Sequence, residues 1–331
     1  MNLLYFLIFL FFILLYSKIN FSKFVVLKCI IPNKYDKGGF AWHLHHVQCL
    51  LHLCAKEKKI PIVFFNGGYY HNRLYGPNWY THYFKPINNY DENVVVFMGN
   101  LMGYTKITKL PLQPNWKRPY LYTNETFQKL LRPMKDINWV QSYKSIKPNE
   151  KIQEEIDIFS NTHFINKSLI IGVHYRGTDK FMAMGGTEDL KSSKHKLYDD
   201  VIKEIQNKYT NNCVLFVASD EQPFVDLCKK TFENVCSTNV KRSSISTSGV
   251  ELDTKSCKKY TENEDCGKLK EIEKQSLHRG TSDVGSYTKG KDAVVDIWLL
   301  SRCNVFFRTH GGNFGSQPKR INPNLEVIDL L

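Results

Sequence analysis

The sequence lacks the short motifs that most directly assign a catalytic class. It contains no Cys-x-x-Cys pair, which argues against a structural zinc site, and no Asp-x-Asp element for a divalent cation. It also lacks Gly-x-Ser-x-Gly, His-Glu-x-x-His, Walker and Gly-x-Gly-x-x-Gly motifs. These absences argue against serine hydrolases of the nucleophile-elbow type, zinc metalloproteases, P-loop nucleotidases and dinucleotide-dependent dehydrogenases. No repeat of fixed period is present.

The charge of the chain favours anionic partners without defining one. Its 331 residues carry a formal net charge of +13, which suits nucleic acid, phospholipid headgroups or nucleotide phosphates. The lysines are scattered, however, and no basic patch interleaved with aromatics and no zinc-finger or RNA-binding signature is present. We therefore expect no nucleic-acid partner. The length suits one large domain or two medium ones.

An uncharged apolar run opens the chain. It extends from Leu3 to Tyr16, and at 14 residues it is shorter than the roughly 20 that a spanning helix needs. The length fits a signal-peptide core, but no basic segment precedes the run and no small-residue cleavage site follows it. We interpret residues 1–20 as an uncleaved signal-anchor, with a buried first strand or helix as the alternative. The sequons at Asn124 and Asn166 are compatible with a single-pass protein facing the ER or Golgi lumen.

Strands and helices alternate along the rest of the chain, which predicts an α/β fold. Strands are predicted at 24–31, 61–65, 94–98, 168–174, 213–218, 304–308 and 324–328. Helices are predicted at 40–56, 147–159, 195–209, 221–232 and 289–302. We expect two Rossmann-like domains facing a cleft, at 22–160 and 165–331, with a polar, partly disordered surface insertion at about 237–275.

Polar residues directly after strands are the candidate site residues, because ligands of parallel α/β sheets bind beyond the carboxyl ends of strands. His174 ends one strand and Arg176 follows it. An arginine there can form a bidentate fork on a phosphate, with Asp179 holding the guanidinium in place. The alternative is a salt-bridged turn in which Gly177 supplies an unusual backbone angle.

Four further positions carry candidate groups. Asp220 follows the strand at 213–218, where it serves the site or, together with Ser219, only caps the next helix. Asp296 lies in an apolar helix, where a carboxylate is costly to bury unless it is paired, so it is a functional residue or one bonded to a backbone amide. Segment 309–313 is a Gly-rich turn before a helix, whose N–H groups favour phosphate. Glu188 follows a Gly-Gly pair and is a catalytic carboxylate or an exposed loop acid.

Taken together, these pieces resemble the α1,6-fucosyltransferase superfamily, which includes nodulation-factor and N-glycan core fucosyltransferases. The resemblance covers about half of the chain and is carried by segments in matching order. They are IGVHYRGTDK at 171–180, FVASDE at 216–221 and YTKGKDAVVDIWLLSRCNVFFRTHGGN at 287–313. The resemblance implies a GT-B fold and an inverting transferase that moves fucose from GDP-fucose to a glycan acceptor. It also implies that no metal or other cofactor is needed.

The resemblance also implies roles for individual residues. Arg176 is expected to bind the β-phosphate and act in catalysis, His174 and Asp296 to hold guanine, and Glu188 to act as the catalytic base. The complete set expected to bind GDP-fucose is His174, Arg176, Asp179, Asp220, Asp296, Thr309, Gly312 and Asn313.

This sequence departs from the family pattern at three places. Gly177 stands where core fucosyltransferases carry a second arginine. Gly311 and Gly312 replace a pair of serines, so backbone amides have to take over from two hydroxyl donors. An insertion at 182–185 precedes Glu188. The alternatives are therefore a transferase for another nucleotide sugar on the same fold and a catalytically inactive glycan- or nucleotide-binding homologue.

Overall fold

The structure, a computed structural model, describes most of the chain after the N-terminal apolar run. The described residues are 20–31, 39–112, 118–123, 129–130, 139–177, 197–210, 212–248, 285–309 and 312–330. They separate into two compact units. The predicted anchor, apart from Asn20, lies outside them. No helix among the described residues is long and apolar enough to cross a membrane.

The first unit contains a four-stranded parallel sheet in the order β2-β1-β4-β3. Its strands are β1 (Phe24–Ile31), β2 (Ile60–Gly67), β3 (Thr105–Lys106) and β4 (Tyr120–Tyr122). Its helices are α1 (Phe40–Lys56), α2 (Tyr80–Tyr83), α3 (Glu92–Met102) and α4 (Trp139–Tyr143). The first turn of α1 belongs to the second unit. Two 3-10 turns lie at Phe21–Lys23 and Arg73–Tyr75. The predicted β1 and α1 are confirmed at both ends.

The strand predicted at 94–98 is wrong, because these residues belong to helix α3. The β-branched run favours a strand, but Asp91 directly before the helix overrides it. The Asp91 side chain accepts hydrogen bonds from the backbone N–H groups of Asn93 and Val94, at 2.8 and 3.2 Å. Such an N-cap satisfies orphan donors of the first turn and starts a helix there.

The second unit contains a five-stranded parallel sheet in the order β7-β6-β5-β8-β9. Its strands are β5 (Leu169–Tyr175), β6 (Cys213–Ser219), β7 (Val235–Cys236), β8 (Val305–Arg308) and β9 (Glu326–Asp329). Its helices are α5 (Glu150–His163), α6 (Tyr198–Gln206), α7 (Gln222–Thr231), α8 (Ser286–Ser301) and α9 (Asn313–Ile321). Numbered within the unit, the order is 3-2-1-4-5, as in a doubly wound Rossmann half. The α/β class with parallel sheets is therefore confirmed.

The central strand β5 packs on both faces, as its two-sided apolar sequence predicts. Ile171, Val173 and Tyr175 are fully buried in the core cluster that also contains residues of α6 and α7. The opposite face approaches α8 closely at Gly172. A Cβ there would lie 2.8 Å from the Cys303 sulfur and 3.0 Å from a Leu300 methyl, so only glycine fits.

Residues 237–248 are the described part of the surface insertion that the sequence predicts at about 237–275. Residues 237–248 run beyond the end of β6, and Thr238, Ser243 and Thr247 are buried there. The Thr238 and Thr247 hydroxyl groups donate hydrogen bonds to the buried carboxylates of Asp296 and Glu221, as described below, so the polar composition of the segment did not predict their burial. Residues 249–275 lie outside the described part of the chain.

We expect Gly172→Ala to destabilise the second unit, because the added methyl overpacks the contact between β5 and α8. The expected loss is about 1–3 kcal/mol in the free energy of unfolding, measured by urea titration. Adding Cys303→Ala should recover part of the loss, because it removes the atom nearest to the new methyl. A double variant no more stable than Gly172→Ala alone would show that the contact does not limit packing.

Candidate functional site

A cavity lies at the carboxyl edge of the second sheet, within the second unit. Its walls are formed by His174, Arg176, Ala218, Ser219, Asp220, Val240, Lys241, Lys289, Asp292, Ala293, Asp296 and Phe314. Four of the residues predicted from the sequence, His174, Arg176, Asp220 and Asp296, therefore lie around one cavity.

Strand register and helix periodicity explain why distant residues meet here. His174 of β5 pairs with Ala218 of β6 and with Arg308 of β8, so three strands end at one edge. The order changes direction between β5 and β8, which is the switch point where doubly wound sheets bind ligands. On α8, lining residues recur at helical spacing from Lys289 to Asp296, so one face of the helix points to the cavity.

His174 and Phe314, which both line the cavity, stack on each other. Their rings are stacked with centroids 4.4 Å apart and an interplanar angle of 26°. Thr309, predicted to line a phosphate pocket, instead fixes the end of β5, because its hydroxyl donates to the His174 carbonyl at 3.1 Å. Gly312 and Asn313 begin α9, directly before Phe314, and no side chain caps this helix. None of these three is among the lining residues.

Asp296 is a buried carboxylate with a hydroxyl partner. It is 9% exposed and accepts a hydrogen bond of 2.8 Å from the Thr238 hydroxyl. Burial raises the pKa of Asp296 to about 7, while Thr238 and the nearby Arg242 charge oppose the rise. Asp292, one turn earlier on α8, has its pKa raised to about 6, again mainly by burial. Two acids that titrate near neutrality on one cavity wall are typical of a functional site.

Asp220 holds the turn that carries Arg176. The backbone N–H of Gly177 donates to the Asp220 carboxylate at 2.9 Å. The alternative that Asp220 or Ser219 only caps the following helix is wrong, because α7 begins after Glu221 with no side-chain cap. Ser219 instead accepts a hydrogen bond of 3.1 Å from the Glu221 backbone. Asp220 therefore connects the end of β6 to the arginine at the end of β5.

Glu221 lies beneath the same turn and is fully buried. Its carboxylate accepts hydrogen bonds from the Tyr198 hydroxyl and from Thr247, whose hydroxyl donates at 2.6 Å and whose N–H donates at 3.2 Å. Burial raises the pKa of Glu221 to about 7, and the Asp220 charge adds to the rise. Sequence reasoning missed this network, because a single Glu at a helix start is most often an exposed acid.

The network explains the glycine at position 177. Gly177 does not have a positive φ, so the predicted unusual backbone angle is wrong. The reason is space: a Cβ at this position would lie 1.8 Å from a Glu221 carboxylate oxygen and 2.6 Å from the Thr247 hydroxyl. An arginine at position 177 would require the Glu221 carboxylate and the Thr247 hydroxyl to move. Among the described residues, Arg176 is the one arginine that lines the cavity. In the same part of the chain, Lys241 and Lys289 are the two lysines that line it.

The sequence did not predict three of the charged lining residues, Lys241, Lys289 and Asp292, and two predicted site residues are not described by the structure. Lys289 and Asp292 could have been found from their helical spacing with Asp296, whereas Lys241 carries no such signal. Asp179 and Glu188 lie outside the described residues. Among the described residues, no cluster of three or more His, Cys, Asp or Glu side chains is placed to hold a metal ion.

Solved structures of the fucosyltransferase NodZ have a fold similar to that of this chain. The selenomethionine form of fucosyltransferase NodZ from Bradyrhizobium matches with a TM-score of 0.52 and 15% identity, over 93% of this chain and 95% of that one. NodZ alpha-1,6-fucosyltransferase soaked with GDP-fucose matches with a TM-score of 0.51 and 15% identity, over 91% and 93%. POFUT1 in complex with GDP matches with a TM-score of 0.49 and 10% identity, over 93% and 98%.

The likeness to NodZ confirms the predicted resemblance at the level of the fold. The α/β architecture with parallel sheets is similar to that of a fucosyltransferase, over more than nine tenths of the chain. No protein-family model matches the chain, and neither does any curated protein sequence.

We expect Gly177→Ala to displace the turn that carries Arg176, because the new methyl overlaps the Glu221 carboxylate. The expected loss is about 1–3 kcal/mol in the free energy of unfolding, together with weaker binding of a phosphate ligand. Gly285→Ala is the matched control, since the nearest atom to its Cβ is 4.0 Å away. Urea unfolding and calorimetry with GDP measure the two effects. Equal behaviour of the two variants would contradict the steric argument.

We expect Glu221→Gln to change how stability depends on pH. The pKa of Glu221 is about 7 in the folded chain and roughly 4.3 in the unfolded chain. Between these values the folded state binds more protons, so stability falls as pH rises, by up to about 1.4 kcal/mol per pH unit. The isosteric amide removes this slope. Unfolding free energies at pH 5, 6, 7 and 8 compare the two proteins, and parallel curves would rule out a raised pKa at Glu221.

Proposed function

We propose that this protein is an inverting, metal-independent fucosyltransferase that moves fucose from GDP-fucose to a glycan acceptor. The observation that carries the proposal is the meeting of His174, Arg176 and Asp296 at one cavity, at the carboxyl edge of a parallel sheet. The fold around that cavity is similar to that of NodZ, a structure of which was soaked with GDP-fucose.

The chemistry of the cavity suits a guanine nucleotide. Guanine presents two adjacent N–H donors, and an ionised Asp296 accepts both. The His174–Phe314 pair offers a flat aromatic surface for a purine. Arg176 can form a bidentate fork on the diphosphate, with Lys241 and Lys289 adding positive charge at the same cavity. A transferase for another nucleotide sugar would share the phosphate contacts and differ in the base contacts.

Transfer proceeds by attack of an acceptor hydroxyl on C1 of fucose as GDP leaves, through an oxocarbenium-like transition state. Negative charge develops on the β-phosphate oxygens, where Arg176 and the backbone N–H groups of 309–313 stabilise it without a metal. Asp179 holds Arg176 in place. Glu188 takes the hydroxyl proton, a step that contributes about 10²–10⁴-fold.

A catalytically inactive nucleotide-binding homologue is the second candidate. The glycine at position 177, enforced by Glu221 and Thr247, favours it because it removes one positive charge that core fucosyltransferases place at the phosphate. The membrane anchor at residues 1–20 and the ER or Golgi lumenal location stay predictions from the sequence, and the fucosyltransferase proposal does not depend on them.

Calorimetry separates the donor hypotheses. The full-length protein is titrated with GDP-fucose, GDP-mannose and UDP-glucose in the presence of EDTA. We expect selective binding of GDP-fucose without metal. Binding of only another nucleotide sugar would retain the fold and overturn the fucose assignment, whereas no binding to any of them would contradict the proposed donor site.

Variants separate an active transferase from an inactive homologue. We expect Arg176→Ala to abolish transfer and weaken GDP binding, because it removes the phosphate fork. Glu188→Gln should lower turnover and leave GDP affinity unchanged, since the base contacts the acceptor and not the nucleotide. Release of GDP from GDP-fucose with a mixture of glycan acceptors is the readout. If Asp179→Asn or Asp220→Asn instead lowers turnover and leaves GDP affinity unchanged, the base is assigned to the wrong residue.

A further inference from the structure

Arg242 joins residues 238–243, the segment that follows β7, to the end of β6 by hydrogen bonds. Its guanidinium donates three hydrogen bonds to backbone carbonyls: to Ser219 at 3.1 Å, to Val240 at 3.2 Å and to Thr238 at 2.8 Å. Ser219 is the last residue of β6, while the other two acceptors belong to the segment itself. A planar fork with fixed donor directions can join three carbonyls in this way, whereas the single ammonium of a lysine cannot reproduce the geometry.

The backbone of the same segment continues the attachment. The Ser243 N–H donates to the Asp220 carbonyl at 2.8 Å, and the Ser243 carbonyl accepts from the Gln222 N–H, also at 2.8 Å. Glu221 and Ser243 form a parallel bridge between these two bonds. Ser243 therefore forms a single bridge to the exit of β6, directly after Arg242.

Segment 238–243 forms part of the cavity wall. Val240 and Lys241 line it, and Thr238 holds the buried Asp296 carboxylate by a hydrogen bond of 2.8 Å. Arg242 thus acts on Asp296 in two ways. It fixes the position of the Thr238 hydroxyl, and its positive charge favours the ionised form of the acid. The charge matters because burial alone disfavours a carboxylate anion.

We propose that Arg242 is the positioning residue of the nucleotide cavity, holding segment 238–241 in place so that the Thr238 hydroxyl keeps the Asp296 carboxylate oriented for the base. The inference rests on the proposed function, in which Asp296 reads guanine. Arg242 itself does not line the cavity. Its removal should therefore act through Thr238 and Asp296 and not through a lost ligand contact.

The pH dependence of GDP binding distinguishes positioning from a general loss of stability. The groups that face Asp296 are Arg242 and Thr238 from segment 238–243 and Lys291 and Asp292 from α8. Further groups on the same cavity are His174, Lys241 and Lys289. With the pKa of Asp296 at about 7, affinity for GDP in the wild type should fall as pH drops below about 7, because the protonated acid cannot accept both guanine donors.

The test compares Arg242→Gln, Arg242→Lys and Thr238→Val by calorimetry with GDP between pH 5.5 and 8.5. Arg242→Gln should weaken binding at neutral pH by about tenfold or more, as expected when hydrogen bonds to a charged group are lost. It should also move the pH midpoint upward, because the charge that opposed protonation of Asp296 is gone. Arg242→Lys should weaken binding with a smaller shift of the midpoint, and Thr238→Val should reproduce the shift.

Arg302→Lys is the matched control. Arg302 also forms a fork, donating to Ser160 at 2.8 Å and pairing with Asp157 on α5, but it does not line the cavity. Its substitution should change stability and leave both GDP affinity and the pH midpoint unchanged. An Arg242→Gln protein with wild-type affinity and midpoint would overturn the inference.

Hydrogen exchange separates failure of this inference from failure of the proposed function. If the wild type binds no guanine nucleotide, the proposed function fails, but the attachment of segment 238–243 to β6 by Arg242 can still be measured. Faster exchange of the Ser243 amide in Arg242→Gln, with exchange in the core of β6 unchanged, supports positioning by Arg242. Unchanged exchange at Ser243 overturns it.

Discussion

Burial of carboxylates at the end of β6 is the constraint on which the candidate site depends. Asp220, Glu221 and Asp296 are each less than a tenth exposed, and a buried acid without donors is costly. Each therefore has a donor from elsewhere in the chain: the Gly177 backbone for Asp220, Tyr198 and Thr247 for Glu221, and Thr238 for Asp296. The positions of the arginine turn and of the segment after β7 follow from these contacts.

The same acids tune the electrostatics of the cavity. Glu221 and Asp296 have pKa values raised to about 7 by burial, whereas Arg176, Lys241 and Lys289 place positive charge on the cavity lining. An acid close to its titration point next to fixed cations suits recognition of a ligand that carries both a hydrogen-bonding base and a phosphate. Asp220 at the end of β6 connects this cavity to the turn that carries Arg176.

The sequence predicted the parts of the fold that depend on apolar pattern. The two-sided strands β5 and β6 were found to within one residue at each end, and Asp296 was found because a carboxylate interrupts an apolar helix. The run at 94–98 was assigned to a strand because β-branched residues outweighed the Asp91 cap. The burial of Thr238 and Thr247 was missed for a different reason: their hydroxyl groups donate hydrogen bonds to acids distant in sequence, and composition does not record such partners.

The glycine at position 177 also constrains how a site of this kind can diverge. Its missing side chain leaves the space that the Glu221 carboxylate and the Thr247 hydroxyl fill. A larger residue at 177 would require both groups to move, and displacement of the Glu221 carboxylate would take from the Tyr198 hydroxyl its acceptor. A substitution at 177 therefore acts on 198, 221 and 247 together, and we expect changes at these positions to be correlated.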